Sequence, residues 1–170
     1  MAIKNKQNNG NLLPNILWIC TDMLRHDAIS GLGNPYIRTP NIDRLISQGT
    51  TFTRAYCQNP VCTPSRASFM TGMYASRVHN CRNGNESFDN HPPLISKLIA
   101  EAGYDCGMIG KFHLQSSGLR TEPRLDDGYR YWKFSHAPRD DWPQGHDYAD
   151  WVRENGGNLN ALRDSRDRVP

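Results

Sequence analysis

The chain has 170 residues and a formal net charge of +3, with 37% apolar and 22% charged residues. That length suffices to bury a core, and the basic residues are scattered, with no Lys/Arg block and no aromatic–basic stripe, which argues against a nucleic acid or an acidic membrane as partner. Five cysteines, an odd count spread along the chain, do not read as a disulfide scaffold.

Residues 1–13 are rich in Lys, Asn and Gln and contain no apolar h-region. They are expected to be a disordered lead-in without secretory character, which makes the expected location cytoplasmic. The first apolar run, Asn15-Ile-Leu-Trp-Ile-Cys20, is too short to span a bilayer. Continuous apolarity and β-branching predict a buried strand of a parallel sheet. That strand would carry Asp22 at its C-terminal end, where ligands of open α/β sheets gather. Thr39 as cap and Pro40 in the first turn predict a helix with Ile42, Leu45 and Ile46 on one face, stopped at Gly49. Residues 51–56 alternate and predict a second strand. A helix over 64–74 follows, beginning beside Cys62. Leu94, Ile95, Leu98, Ile99 and Ala102 form another helical stripe closed by Gly103. Residues 104–109 predict a third strand, with Gly110-Lys111-Phe112-His113 at its end.

Strands alternating with helices predict an α/β fold with a mostly parallel sheet flanked by helices. Beyond Gln115 the texture changes to Arg, Asp, Gly, Pro and aromatics. A short helix is expected over 147–152, and no further buried strand is legible. The expected organisation is a lead-in at 1–13, an α/β portion over 14–134 and an irregular segment over 135–170. His79, Cys81 and His91 match no common zinc spacing.

Three of these segments carry chemistry to one place. Asp22, Cys62 and the Lys111/His113 pair each follow a predicted strand or open a predicted helix. A carboxylate, a nucleophile, a fixed cation and an imidazole are the parts needed to attack an anionic ester. Arg66 lies one helical turn after Cys62. The helix N-terminus at Cys62 presents backbone N–H groups and a positive dipole end to an anion.

The segment Cys62-Thr-Pro-Ser-Arg-Ala-Ser-Phe-Met-Thr-Gly72 resembles the signature of the sulfatases, C-x-P-S-R followed by x-x-x-[LM]-T-G. Residues 15–22 resemble that family's first strand with its metal-binding aspartate. Thr39-Pro-Asn-Ile-Asp-Arg-Leu45 resembles its T-P-N-[IL]-D-x-L helix start, and Gly110-Lys-Phe-His-Leu114 its G-K-[WF]-H-L motif. Asp127-Gly128-Tyr129 carries a weaker likeness. The resemblance runs from about residue 14 to about residue 134 and implies an alkaline-phosphatase-like α/β fold.

The resemblance also implies a chemistry. Cys62 would be oxidised to formylglycine by a formylglycine-generating or anaerobic sulfatase-maturating enzyme. Its hydrate would supply a gem-diol nucleophile for hydrolysis of a small-molecule sulfate ester, with its second hydroxyl driving release of sulfate. Asp22 and the modified Cys62 would bind a divalent cation, calcium by first expectation and manganese or magnesium otherwise. Arg66 would hold the diol, Lys111 the sulfate oxygens, and His113 would be the base of the elimination step. Asn83 resembles a substrate-side asparagine.

This sequence departs from the family pattern in two ways. Many members carry two adjacent aspartates after the first strand, whereas here Met23 follows Asp22. The single-aspartate form is similar to the branch containing choline sulfatase and phosphonate or phosphate ester hydrolases, so phosphonate or phosphate ester hydrolysis is the alternative reading. Family members are also much longer. Their remaining metal ligands, an Asp/Asn–His pair among them, have no counterpart here, since His146-Asp147 has the reverse order. The further expectation is therefore a fragment or a truncated product, inactive by itself.

Overall fold

A computed structural model describes residues 7–8, 11–78, 82–116, 121–136, 146–159 and 161. His79 and Cys81 lie outside the described residues, as does part of the segment expected to be irregular. The chain divides into two compact units, Met1–Tyr56 and Cys57–Pro170.

In the first unit, β1 (Gln7–Asn8) and β2 (Asn11–Leu12) form a short antiparallel ladder. Two single turns of 3₁₀ helix follow, His26–Ala28 and Ser30–Leu32. Helix α1 spans Pro40–Gln48 with Pro40 in its first turn, and the Gly49 N–H closes it on the Leu45 carbonyl at 2.9 Å. Thr39 was expected to cap this helix through its hydroxyl. It makes no side-chain cap bond to the helix backbone. The hydroxyl instead donates to Asp43 Oδ1 at 2.8 Å, while Ser30 Oγ donates to Asp43 Oδ2 at 2.6 Å and the Gly31 N–H to Oδ1 at 2.8 Å. An ionised carboxylate is the stronger acceptor and draws the hydroxyls away from the cap. The Asp43 carboxyl is held below its ordinary range, first by the Ser30 hydroxyl and then by that of Thr39, with burial opposing.

The strands expected over 15–20 and 51–56 do not form. A strand of a parallel sheet needs a ladder partner and a covered face. The run 15–20 has neither among the described residues, and Leu17 is 84% exposed. Phe52 and Tyr56 are likewise exposed.

The second unit holds the core. Helix α2 spans Cys62–Thr71 and ends where Gly72 adopts φ +68, a left-handed closure that spares a glycine the usual Cβ clash. Compared with the expected 64–74, the helix starts two residues earlier and stops three earlier. Helix α3 (Ile95–Glu101) matches the predicted stripe, although Leu98 stays partly exposed. Strand β3 (Gly107–Gly110) pairs in parallel with β4 (Tyr131–Phe134), in the register Gly107 to Tyr131 through Gly110 to Phe134. Strand β4 is an element that the sequence reading missed. Helix α4 (Asp147–Glu154) docks on it: Asp147 accepts from Lys133 Nζ at 2.7 Å and from the Phe134 N–H at 2.6 Å.

Ala67 and Met70 of α2, Phe88, Leu94, Met108 of β3, Phe112, Leu114 and Phe134 of β4 share one apolar core. Burying each of the large ones contributes about 1.5–3 kcal/mol. This core clamps the start of α2 against the segment leaving β3, which is where the predicted chemistry lies.

Candidate active site

Cys62 is the first residue of α2 and is half-buried, with a free thiol. An α-helix opens with backbone N–H groups that lack helical partners. One of them, that of Thr63, donates to Asn83 Oδ1 at 2.9 Å. The predicted substrate-side Asn83 therefore caps the helix from 20 residues away, which fixes the loop around 82–85 against the nucleophile position.

Arg66 sits one turn further along α2 and is buried. Its guanidinium donates from Nη1 to the Lys111 carbonyl at 2.6 Å. Gly110, at φ +112, ends β3 and turns the chain back toward α2. Lys111 then sends its Nζ to within 3.5 Å of Cys62 Sγ. The structure thus brings together Cys62, Arg66, Lys111 and Asn83, four of the residues singled out from sequence. An ammonium, a guanidinium and a helix N-terminus around one position favour negative charge there.

His113 is buried and takes φ +57, a left-handed conformation uncommon for a side chain of its size. Its ring lies against that of His136, centroids 4.4 Å apart. The segment is held by Glu122, which sequence reasoning did not single out. The Glu122 carboxylate accepts the N–H of His113 at 2.5 Å, of Leu114 at 2.6 Å and of Gln115 at 2.9 Å. Burial pushes this carboxyl above its ordinary range, opposed by the three N–H bonds and by the Arg66 charge. No local pattern marks it: Thr121-Glu122-Pro123 lies in a polar stretch, and its partners are backbone atoms.

Asp22 belongs to the first unit, at an exposed position followed by Met23 at φ +58. The strand expected to present it is absent. A hard divalent cation takes about six to eight oxygen ligands when it is calcium. Beside Cys62 the structure places the Lys111 ammonium, and the Arg66 guanidinium is bonded to the Lys111 carbonyl. Among the described residues no group of three or more His, Cys, Asp or Glu is arranged to hold a metal ion. The residues gathered here fit an anion and do not by themselves fit a cation.

Comparison with known proteins supports the motif reading. The Sulfatase family model matches residues 14–165. An N-acetylglucosamine-6-O-sulfatase of Bacteroides thetaiotaomicron is 34% identical over 128 residues, covering 75% of this chain and 21% of that protein. An arylsulfatase of Clostridium perfringens is 34% identical over 152 residues, covering 85% of this chain and 31% of that protein. Among solved structures, the phosphonate monoester hydrolase of Agrobacterium radiobacter superposes with a TM-score of 0.57 at 24% identity, covering 79% of this chain and 27% of that one. That likeness shows the alkaline-phosphatase-like α/β fold, of which the parallel β3–β4 pair and its helices are a part. The chain spans about a fifth to a third of the length of these curated relatives. With a family model matched over most of its residues and the signature cysteine at the start of α2, the chain belongs to the sulfatase family.

Proposed function

We propose that this chain supplies the nucleophile-bearing part of a sulfuric ester hydrolase. The observation that carries the reading is the ammonium of Lys111 at 3.5 Å from Cys62 Sγ, at the open end of α2. Formylglycine and a divalent cation are general to the family. Formed from Cys62 by a maturation enzyme, formylglycine supplies a hydrated aldehyde as nucleophile. By resemblance to the family calcium is the ion proposed, and Asp22 and the modified Cys62 are the positions that match the family's ligands, each in its own unit of the chain.

The remaining roles follow from charge and reach. Lys111 neutralises and orients the sulfate oxygens of a small-molecule ester. Arg66 fixes the Lys111 backbone through its 2.6 Å bond and adds its charge beside the nucleophile. Asn83, its oxygen committed to Thr63, donates from its amide nitrogen toward the substrate. His113 moves the proton in the step that releases sulfate.

Phosphonate or phosphate ester hydrolysis by the same residues is the second reading, favoured by Met23 where a second aspartate is common in sulfatases. The test is turnover of an aryl sulfate and an aryl phosphonate monoester by the complete protein, produced in its native host. We expect the sulfate to be preferred and Lys111→Ala to lower its turnover by roughly 10²–10³-fold. Preference for the phosphonate would install the second reading. No turnover of either ester by protein with an oxidised Cys62 would sink both.

A further inference from the structure

Beyond the motif residues, the buried carboxylate of Glu122 is bound in an unusual way. Its two oxygens accept three successive backbone N–H groups, those of His113, Leu114 and Gln115. Successive amides converge on one point only where the chain departs from strand or helix, and a left-handed residue in the run produces such a concavity. His113 at φ +57 is that residue. Such backbone nests ordinarily receive an anion, and here the protein fills the nest with its own side chain.

The left-handed conformation is unfavourable for a non-glycine residue. It persists when the surroundings overdetermine it. Glu122 is 5% exposed, so its charge is compensated from inside, by these three amides and by the nearby Arg66. Each amide bond to a carboxylate is worth more than one to a neutral acceptor. The carboxylate is therefore both the reason the turn holds and the link between Arg66 and His113.

We propose that Glu122 is a positioning residue: by filling the backbone nest at 113–115 it locks His113 in its left-handed conformation and so fixes where the imidazole is presented. The proposal rests on His113 having the role given above, but its structural core does not. Removing the carboxylate frees the turn to relax, and the ring then samples more than one orientation against His136.

Three measurements on the complete protein test it. In the wild type, hydrogen exchange is expected to show the amides of 113, 114 and 115 protected as one group; exchange at the rate of an open loop would overturn the nest. In Glu122→Gln, which keeps the volume and removes the charge, the His113 ring resonance, assigned through His113→Gln, should broaden or split. An unchanged resonance in a folded variant would refute the positioning role. In turnover of an aryl sulfate, Glu122→Gln should lower kcat by roughly 10- to 100-fold, with KM within about twofold. A KM effect without a kcat effect would contradict the proposal. If the wild type turns over no sulfate ester, the functional reading falls, while the exchange and ring measurements still decide the place of Glu122. If Glu122→Gln fails to fold, the wild-type exchange measurement decides alone.

Discussion

The two units stabilise themselves by different means. In the first, the organising feature is polar: the Asp43 carboxylate gathers Ser30, Gly31 and Thr39 and ties the turn at 30–32 to α1. Its apolar run at 15–20 remains largely in solvent, with Leu17 84% exposed. In the second, the organising feature is apolar: Phe88, Leu94 and Leu114 are fully buried, and the buried Glu122 carboxylate is bonded to backbone. An apolar sequence run therefore forms a strand only where a partner ladder and a covering face are supplied. Residues 107–110 have both, and residues 15–20 have neither among those described.

The sharpest way to test that contrast is by truncation. Phe88→Ala should cost about 3–5 kcal/mol, transfer and cavity together. Leu17→Ala should cost less than about 0.5 kcal/mol, as expected for a surface site. Urea unfolding followed by hydrogen exchange reads both, and equal costs would show that the run is covered in solution.

Glycines offer a second comparison. A methyl group on Gly128, at φ +77, would lie 2.6 Å from Lys97 Cα and 2.8 Å from the Ser96 carbonyl. Both are backbone atoms and cannot yield cheaply, so Gly128→Ala should cost about 2–4 kcal/mol, strain and overpacking combined. Gly33, at φ +107, faces open space. Gly33→Ala should cost only the conformational strain, about 1–2 kcal/mol. Thermal melts of the two variants order them, and the reverse order would contradict the packing described here.

Acid should separate the units by sign. Asp43 has its pKa lowered in the fold, first by the Ser30 hydroxyl. Its contribution to stability is present above the unfolded pKa and is lost as pH falls through the folded one. Glu122 has its pKa raised, burial outweighing its N–H bonds. Burial makes charging that group costly as pH rises through the folded pKa, a cost set against the three N–H bonds and the Arg66 charge that hold the carboxylate. Residue-resolved exchange between pH 3 and 7 should therefore show α1 and the turn at 30–32 loosening on acidification. Asp43→Asn should abolish that dependence, and its persistence in the variant would assign it elsewhere.

The smallest effect lies beside the nucleophile. Thr63 Oγ1 is buried with no hydrogen-bond partner among the described residues. Thr63→Val keeps the shape and removes the unmet hydroxyl, and should raise stability by about 1 kcal/mol. A loss of stability on this substitution would reveal a partner for the hydroxyl.

How much of this was legible in the sequence depended on whether the signal was local. Helices α1, α2 and α3 announced themselves through Pro40, the Cys62–Gly72 motif and the stripe ending at Gly103, because caps and 3.6-residue periodicity are properties of a single segment. Strand β3 was legible as an apolar run before a glycine turn. Strand β4 was missed: Tyr131-Trp-Lys-Phe134 is four residues long and shows only one cycle of alternation. The runs at 15–20 and 51–56 were read as strands from composition, but pairing is not a local property. The cationic surroundings of Cys62 followed from the motif order. The Glu122 clamp did not, because a carboxylate that binds backbone amides leaves no pattern in side-chain identity. The proximity of Lys111 to Cys62 is the link that sequence could only imply and that the fold supplies.

The most direct test of the central claim, that Cys62 is the precursor of the nucleophile, is the mass of the tryptic peptide spanning residues 55–66, taken from the protein made in its native host. The peptide contains Cys57 as well as Cys62, so fragmentation must locate any change. The thiol-to-aldehyde mass loss is expected at Cys62, with Cys57 intact. An unmodified thiol at Cys62 in that host would contradict it, leaving the Lys111–Arg66 arrangement as an anion-binding site without a nucleophile.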